Sequence, residues 1–236
     1  MQTERDAEIV GWIGRVGAAS ARHVMARFRM GQSVTYERLA ALVADGLLEH
    51  RMLLYRQPGL YFATADGLRW SGLERLGVDR VGPGGFEHAR QVATAAVALH
   101  HGLPDAEVLS ERELRAREND EGELFGSVKL GSLPGGREAL HRPDLLVVTP
   151  NKRVVAVEVE LSVKAPRRLE TICTGYGRAR HLHHVYYLAA PAAARAVTRA
   201  VAAVRAHDRI TVLPLHDVPS LIAAAERGEV DGAPVL

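Results

Sequence analysis

Residues 142–164, RPDLLVVTPNKRVVAVEVELSVK, constrain the fold more than any other stretch of the chain. Residues 145–148 and 154–161 are apolar, β-branched runs, and Pro150-Asn151-Lys152 between them is turn chemistry, so the pattern predicts a β-hairpin. Side chains at i and i+2 share a strand face, so Glu158 and Glu160 point the same way and Asp144 joins them across the hairpin. Three carboxylates on an otherwise apolar strand pair are costly unless a cation neutralises them. All-oxygen donors suit Mg²⁺ or Mn²⁺, and such an ion activates water and stabilises phosphoryl charge. The expected metal ligands are therefore Asp144, Glu158 and Glu160. The competing reading pairs these acids with Arg142, Arg153, Arg167 and Arg168.

The spacing resembles that of the PD-(D/E)xK phosphodiesterase superfamily. Pro143-Asp144 matches the PD half and Glu158 the (D/E), while Glu160 stands where the family has its lysine. Some restriction endonucleases of the superfamily also carry a glutamate there, and in other members the lysine migrates to the following helix, where Lys164 is the stand-in. The resemblance implies catalytic roles for four residues. Asp144 and Glu158 hold the metal, Glu160 completes its shell or positions water, and Lys164 stabilises the transition state. An inherited nuclease fold that no longer cleaves is the alternative. The flanking chain supports the fold. Periodicity predicts a helix over 86–101, a charged strand-like segment over 107–118, a helix over 164–180, a strand over 184–189, a helix over 191–207 and a strand over 210–215. With the hairpin the order is α-β-β-β-α-β-α-β, that of the superfamily's nuclease core. Alternating strands and helices argue for an α/β sandwich with a mixed central sheet over residues 86–220. Glu87 stands where several members supply an extra acid.

The first eighty residues follow a different pattern. An amphipathic helix spans 4–15, a short helix 21–28 starts after Ser20, and a third helix 34–44 starts after Ser33. Two strands, 47–55 and 60–64, and a last helix, 65–76, complete a domain over residues 1–80. Helix, helix-turn-helix and hairpin in this order resemble the winged helix-turn-helix of bacterial transcriptional regulators. That likeness implies that the start of the third helix enters the major groove, with Gln32, Ser33, Thr35, Tyr36 and Arg38 facing bases or phosphates. Arg51 and Arg56 lie in the wing, and Arg22, Arg27 and Arg29 flank the second helix. Gly-rich residues 72–85 read as the junction, and residues 221–236 as a C-terminal tail containing one short helix.

Composition sets the limits. The net charge is only +2 and the pI about 8.9, so DNA affinity has to come from local patches. Basic residues are overwhelmingly Arg, which favours bidentate phosphate and guanine contacts. The single cysteine, Cys173, excludes an internal disulfide and a cysteine-built zinc site, and fits a reducing cytoplasm. Acids interrupt the N-terminus, so no signal peptide is expected, and no apolar run approaches the ~20 residues that span a bilayer. The expected location is cytoplasmic and nucleoid-associated. Residues 131–137 are a Gly-rich loop without the GKS or GKT of a P-loop, so no nucleotide cofactor is expected. The histidines at 181, 183 and 184 read as a polar helix cap, and His141, beside the PD motif, as a group that touches phosphate or tunes the site.

A winged helix followed by RPD, VEVELS and GYGRAR is similar to the replication-relaxation family of plasmids and other mobile elements, over roughly residues 5–215. The resemblance implies a double-stranded-DNA-binding role in plasmid replication or maintenance. Three readings stay open: a Mg²⁺-dependent DNA endonuclease or nickase; a non-cleaving transcriptional regulator whose nuclease fold serves dimerisation or DNA clamping; and a module that contacts a replication protein. Reading of paired half-sites implies a homodimer.

Overall fold

The structure is a computed structural model that describes residues 3–215. It is an α/β fold with eight helices and a mixed five-stranded sheet among the described residues. The tail expected over 221–236, with its short helix, lies outside them. The described chain forms two compact units that divide between Gly102 and Leu103.

In the first unit, α1 (Glu4–Val16) starts at a reciprocal cap. Asp6 N donates to Thr3 Oγ1 at 3.3 Å and Thr3 N donates to Asp6 Oδ2 at 2.8 Å. The helix buries Ile9, Val10 and Ile13 against Val24 of α2 (Ala21–Phe28) and Leu39 and Leu42 of α3 (Gln32–Ala44). Gly31, not the expected Ser33, caps α3, so Gln32 and Ser33 lie within its first turn. Strands β1 (Leu48–Arg51) and β2 (Leu60–Ala63) pair antiparallel from Leu48↔Ala63 to Arg51↔Leu60, and Tyr61 bridges back to Ala19. Helix α4 (Ala65–Trp70) is shorter than expected and continues only as a 3₁₀ turn over Glu74–Leu76.

Helix α5 (Phe86–Gly102) belongs to this first unit, so the division falls after Gly102 and not near 80–86. Buried side chains explain why. His23 Nε2 lies 3.1 Å from Thr94 Oγ1, and His101 Nε2 donates to Ala26 O at 2.8 Å, so α5 is tied to α2 along its length. Burial lowers the pKa of His23 to about 4, so it bridges Ser20 and Thr94 as a neutral ring. Glu87, on α5, is occupied by Arg90 and Gln91.

The second unit is built on a sheet of order β3-β6-β7-β8-β9. Strands β3 (Glu107–Ser110), β6 (Leu145–Val148) and β7 (Val154–Glu160) are antiparallel neighbours, while β8 (His184–Ala189) and β9 (Ile210–Pro214) run parallel to β7. Helices α7 (Pro166–Arg178) and α8 (Pro191–Ala203) make the crossovers that parallel pairing requires. The expected strand over 107–118 ends at Ser110. Ser110 and Glu113 form a capping box, the S-x-x-E signature, and α6 (Glu111–Glu121) follows. The Gly-rich segment 131–137 is not a free loop. It joins β4 (Val128–Ser132) to β5 (Glu138–His141) in a hairpin that shifts register between Lys129 and Gly131.

Candidate functional site

The register of β6 and β7 brings the three carboxylates of the sequence motif to one end of the sheet. Leu145 pairs with Val157, so Asp144 lies across from Glu158. Strand alternation puts Val154, Ala156, Glu158 and Glu160 on one face, where Val154 and Ala156 pack with Leu169, Ile172, Cys173 and Tyr176 of α7. Glu158 and Glu160 are each only 4% exposed, and Asp144 is half-buried.

Protein donors serve each of these acids. Asp144 Oδ2 accepts from Val159 N at 2.7 Å. Glu158 Oε1 accepts from His141 Nε2 at 2.7 Å and from the Tyr176 hydroxyl. The His141 and Tyr176 rings meet edge to face at 5.6 Å. Glu160 is paired with the Lys164 ammonium. Burial pushes the Glu158 carboxyl above the ordinary glutamate range, and Asp144 adds to that, although His141 and Tyr176 pull the other way. Burial and the neighbouring Glu158 hold the Tyr176 phenol well above its usual value, so it acts as a donor throughout. The Cys173 thiol beneath is pushed up to about 11 by burial and is unreactive by that measure.

The donor set does not fit Mg²⁺ or Mn²⁺ as it stands. Among the described residues no three His, Cys, Asp or Glu side chains stand together as a metal-binding group. The three acids are met instead by His141, the Tyr176 hydroxyl and a strand amide as hydrogen-bond partners and by the Lys164 ammonium as counter-charge. Lys164 precedes α7 and faces Glu160, so it is spent on a neighbouring acid. Arg142 Nε instead lies 3.2 Å from Glu118 Oε2, a buried charge contact without hydrogen-bond alignment. The Glu118 carboxylate also accepts from the backbone N–H of Phe125, Gly126 and Ser127 at 2.8–3.1 Å and from the Ser127 hydroxyl. Tyr176 is a site residue that sequence reasoning missed, since its pairing with Glu158 depends on how α7 returns over the sheet. The histidines after α7 are likewise taken locally: His181 by Ser127 O, His183 by Val154 N and His184 by Thr211.

On the first unit, Gln32, Ser33 and Tyr36 are exposed along the start of α3, with Val34 beside them. Thr35 leaves the expected set. It is fully buried, and its hydroxyl donates to Gly31 O at 2.9 Å. Arg38 reaches the opposite way, to Asp6 Oδ1 at 2.6 Å and Thr3 Oγ1 at 3.1 Å, tying α3 to α1. Arg51 pairs with Glu49 at 2.5 Å over the Phe62 ring. Arg56 sits at positive φ at the tip of the β1–β2 loop, with its guanidinium 5.2 Å from the centre of the Tyr55 ring. Tyr55 is 86% exposed and Met52 64%. Arg22 and Arg29 are exposed on and just after α2, whereas Arg27 is partly buried over Phe28. No helix among the described residues is long and apolar enough to cross a membrane. No family model, no curated protein and no solved structure matches this chain.

Proposed function

We propose that the chain is a double-stranded-DNA-binding protein whose first unit is a winged helix-turn-helix. In this reading the second unit is a PD-(D/E)xK-like fold that serves DNA clamping or dimerisation and does not cleave. The observation that carries the first half is the exposed face of Gln32, Ser33 and Tyr36 on α3, together with Tyr55 and Arg56 at the hairpin tip. Polar and aromatic side chains at the start of a helix after a tight turn suit base edges and phosphates, and an exposed Arg–Tyr pair on a hairpin suits the backbone. Thr35 and Arg38 are left out of the reading set, because each is engaged inside the fold. The strand order and the RPD–EVE register support the second half. The internal neutralisation of Glu158 and Glu160 favours the non-cleaving reading over a Mg²⁺-dependent endonuclease. The likeness to the replication-relaxation family supports a role in the replication or maintenance of a plasmid or other mobile element, with regulation of transcription as the simplest output.

One gel tests both halves. Wild type and Asp144→Ala are incubated with supercoiled and linear DNA in Mg²⁺, in Mn²⁺ and in EDTA. The expected result is a metal-independent mobility shift, equal in the two proteins, without strand breaks. Metal-dependent nicking that disappears in Asp144→Ala would replace this reading with the endonuclease. Absence of any shift would remove the DNA-binding half.

A further inference from the structure

The outer face of α7 carries a groove distinct from the carboxylate site. Leu169, Ile172, Cys173 and Tyr176 point into the core, so Arg167, Thr171, Thr174 and Arg178 line the opposite side of the helix. Two cavities, of about 880 and 900 Å³, share Thr174, Arg178, Ala179, Arg180 and Val204. They form one continuous groove from the β4–β5 hairpin to the turn after α8. Glycines let its walls close on the helix. A Cβ at Gly175 would lie 3.1 Å from Val128 Cγ2 and 3.2 Å from Lys129 O, and one at Gly177 would lie 3.5 Å from Ala206 Cβ. The groove floor is therefore helix backbone flanked by Val128 and Val204.

Its charge is one-sided, unlike that of α6. On α6, Arg115 and Arg117 are each neutralised by a glutamate four residues away. Arg167, Arg178, Arg180 and Arg205 are all exposed, and none makes an ion pair among the described residues. Arg209 is spent internally on Ala179 O and Leu182 O, while Lys129 pairs with Glu138. Against these, only Glu170 and Asp208 bring negative charge to the lining. Unpaired guanidiniums spaced along an open groove suit phosphate oxygens, which they bind as planar forks. We infer that this groove binds the phosphodiester backbone of a nucleic acid, giving the second unit a contact surface of its own. The inference rests on the DNA-clamping reading of the second unit, which it deepens, and does not depend on the reading of α3.

The test uses the full chain and fluorescence anisotropy with mixed-sequence duplex and single-stranded oligonucleotides across a salt series. Wild type is compared with Arg178→Ala, Arg180→Ala and Arg205→Ala combined, with the same three positions changed to Lys, and with Gln32→Ala plus Tyr36→Ala. Losing three phosphate contacts should flatten the slope of log Kobs against log salt by about 2.7 on duplex or about 2.1 on single strands, at ~0.9 or ~0.7 per contact. The strand form that shows the change identifies the ligand, and the Lys version should restore most of the slope. Because all three arginines are exposed, unchanged thermal unfolding is expected and confirms an intact fold. Unchanged slope and affinity in the triple Ala variant overturns the groove, even if the α3 variant loses binding and so upholds the first-unit reading. Loss in the triple variant with no loss in the α3 variant upholds the groove alone. Competition by poly-glutamate equal to that by DNA also overturns it, by showing a general surface for acidic protein.

Discussion

Glu118→Gln tests the buried carboxylate that the arginine of the RPD motif faces. Glu118 is 6% exposed, and its Oε1 accepts all three N–H groups of residues 125–127 at 2.8–3.1 Å. Glutamine keeps that acceptor. What it loses is the other oxygen, which holds the Ser127 hydroxyl and lies 3.2 Å from Arg142 Nε, with the two side chains 3% and 18% exposed. Breaking a buried ion pair from one side costs about 3–5 kcal/mol, because the stranded charge stays buried. Arg142 keeps some access to water, so about 3 kcal/mol is expected. Glu118→Ala would also strand the three N–H groups at about 1–3 kcal/mol each, enough to unfold a domain of ordinary stability. Urea unfolding followed by circular dichroism gives the shift, while the fluorescence of Trp12 and Trp70 reports the first unit separately. Acid supplies a second check. Burial alone would raise the Glu118 carboxyl, but the donors from Ser127, Gly126 and Phe125 outweigh it and hold the pKa below the ordinary range. A carboxyl lowered by folding contributes stability above its unfolded pKa and loses it as pH falls through the folded value. The gap between wild type and variant should therefore be full at neutral pH and close below about pH 4. A shift under about 1 kcal/mol, or a gap that ignores pH, would refute the role of the buried Glu118 carboxylate as a structural strut.

Three further outcomes follow from neighbouring contacts. The Glu158 carboxyl is raised by burial, so its ionisation costs stability as pH climbs above the unfolded glutamate pKa. The stability of wild type relative to Glu158→Gln should then decline in thermal melts as pH rises above the ordinary glutamate range, and a constant difference contradicts it. Arg38→Ala should cost about 1–3 kcal/mol of first-unit stability, since it strands the buried Asp6 carboxylate, and under the proposed DNA-binding function should weaken that binding less than Tyr36→Ala does. Denaturation and gel shift together decide whether Arg38 is a strut or a base reader. Gly67→Ala should destabilise despite alanine's helix preference of about 1 kcal/mol. Its Cβ would lie 2.1 Å from Leu47 O, which is backbone and cannot swing aside, so equal or higher stability by thermal melt would refute the packing.

The local patterns of the sequence carried a large part of this structure. The hairpin of residues 145–160, the shared face of Glu158 and Glu160, the helices of the first unit and the β1–β2 pair all follow from period and turn chemistry. Charge hid α6, because its run of Glu and Arg has almost no apolar period, although the Ser110–Glu113 box marks its start. The β4–β5 hairpin was hidden by glycines at 131, 135 and 136, which read as a loop yet supply the positive φ that its bulge and turn need. Helix α5 has the period of a helix and nothing that says which unit it covers; His23, Thr94 and His101 decide that, and their meeting is tertiary. The partners of the carboxylates were out of reach for the same reason. Tyr176 lies eighteen residues beyond Glu158, and only the return of α7 over the sheet brings the two together.

The same crossover makes the neutralisation of the acids testable without any assay of cleavage. If His141, Tyr176 and Lys164 supply the charge and hydrogen bonds that Asp144, Glu158 and Glu160 require, a divalent cation gains little by binding wild type. Removing two of those donors, in His141→Ala combined with Tyr176→Phe, leaves Glu158 buried with its Oε1 unserved, which lowers stability by about 1–3 kcal/mol per lost donor. A cation can then recover what the donors supplied. Any ion that binds only the folded state stabilises it by RT ln(1 + [L]/Kd), about 2.7 kcal/mol at a hundredfold excess over Kd. Added Mn²⁺ should therefore raise the melting temperature of the double variant and reverse with EDTA, while leaving wild type unmoved. A wild-type melting temperature that climbs with Mn²⁺ would mean that the donors yield to metal, and would return Asp144 and Glu158 to the role of ligands.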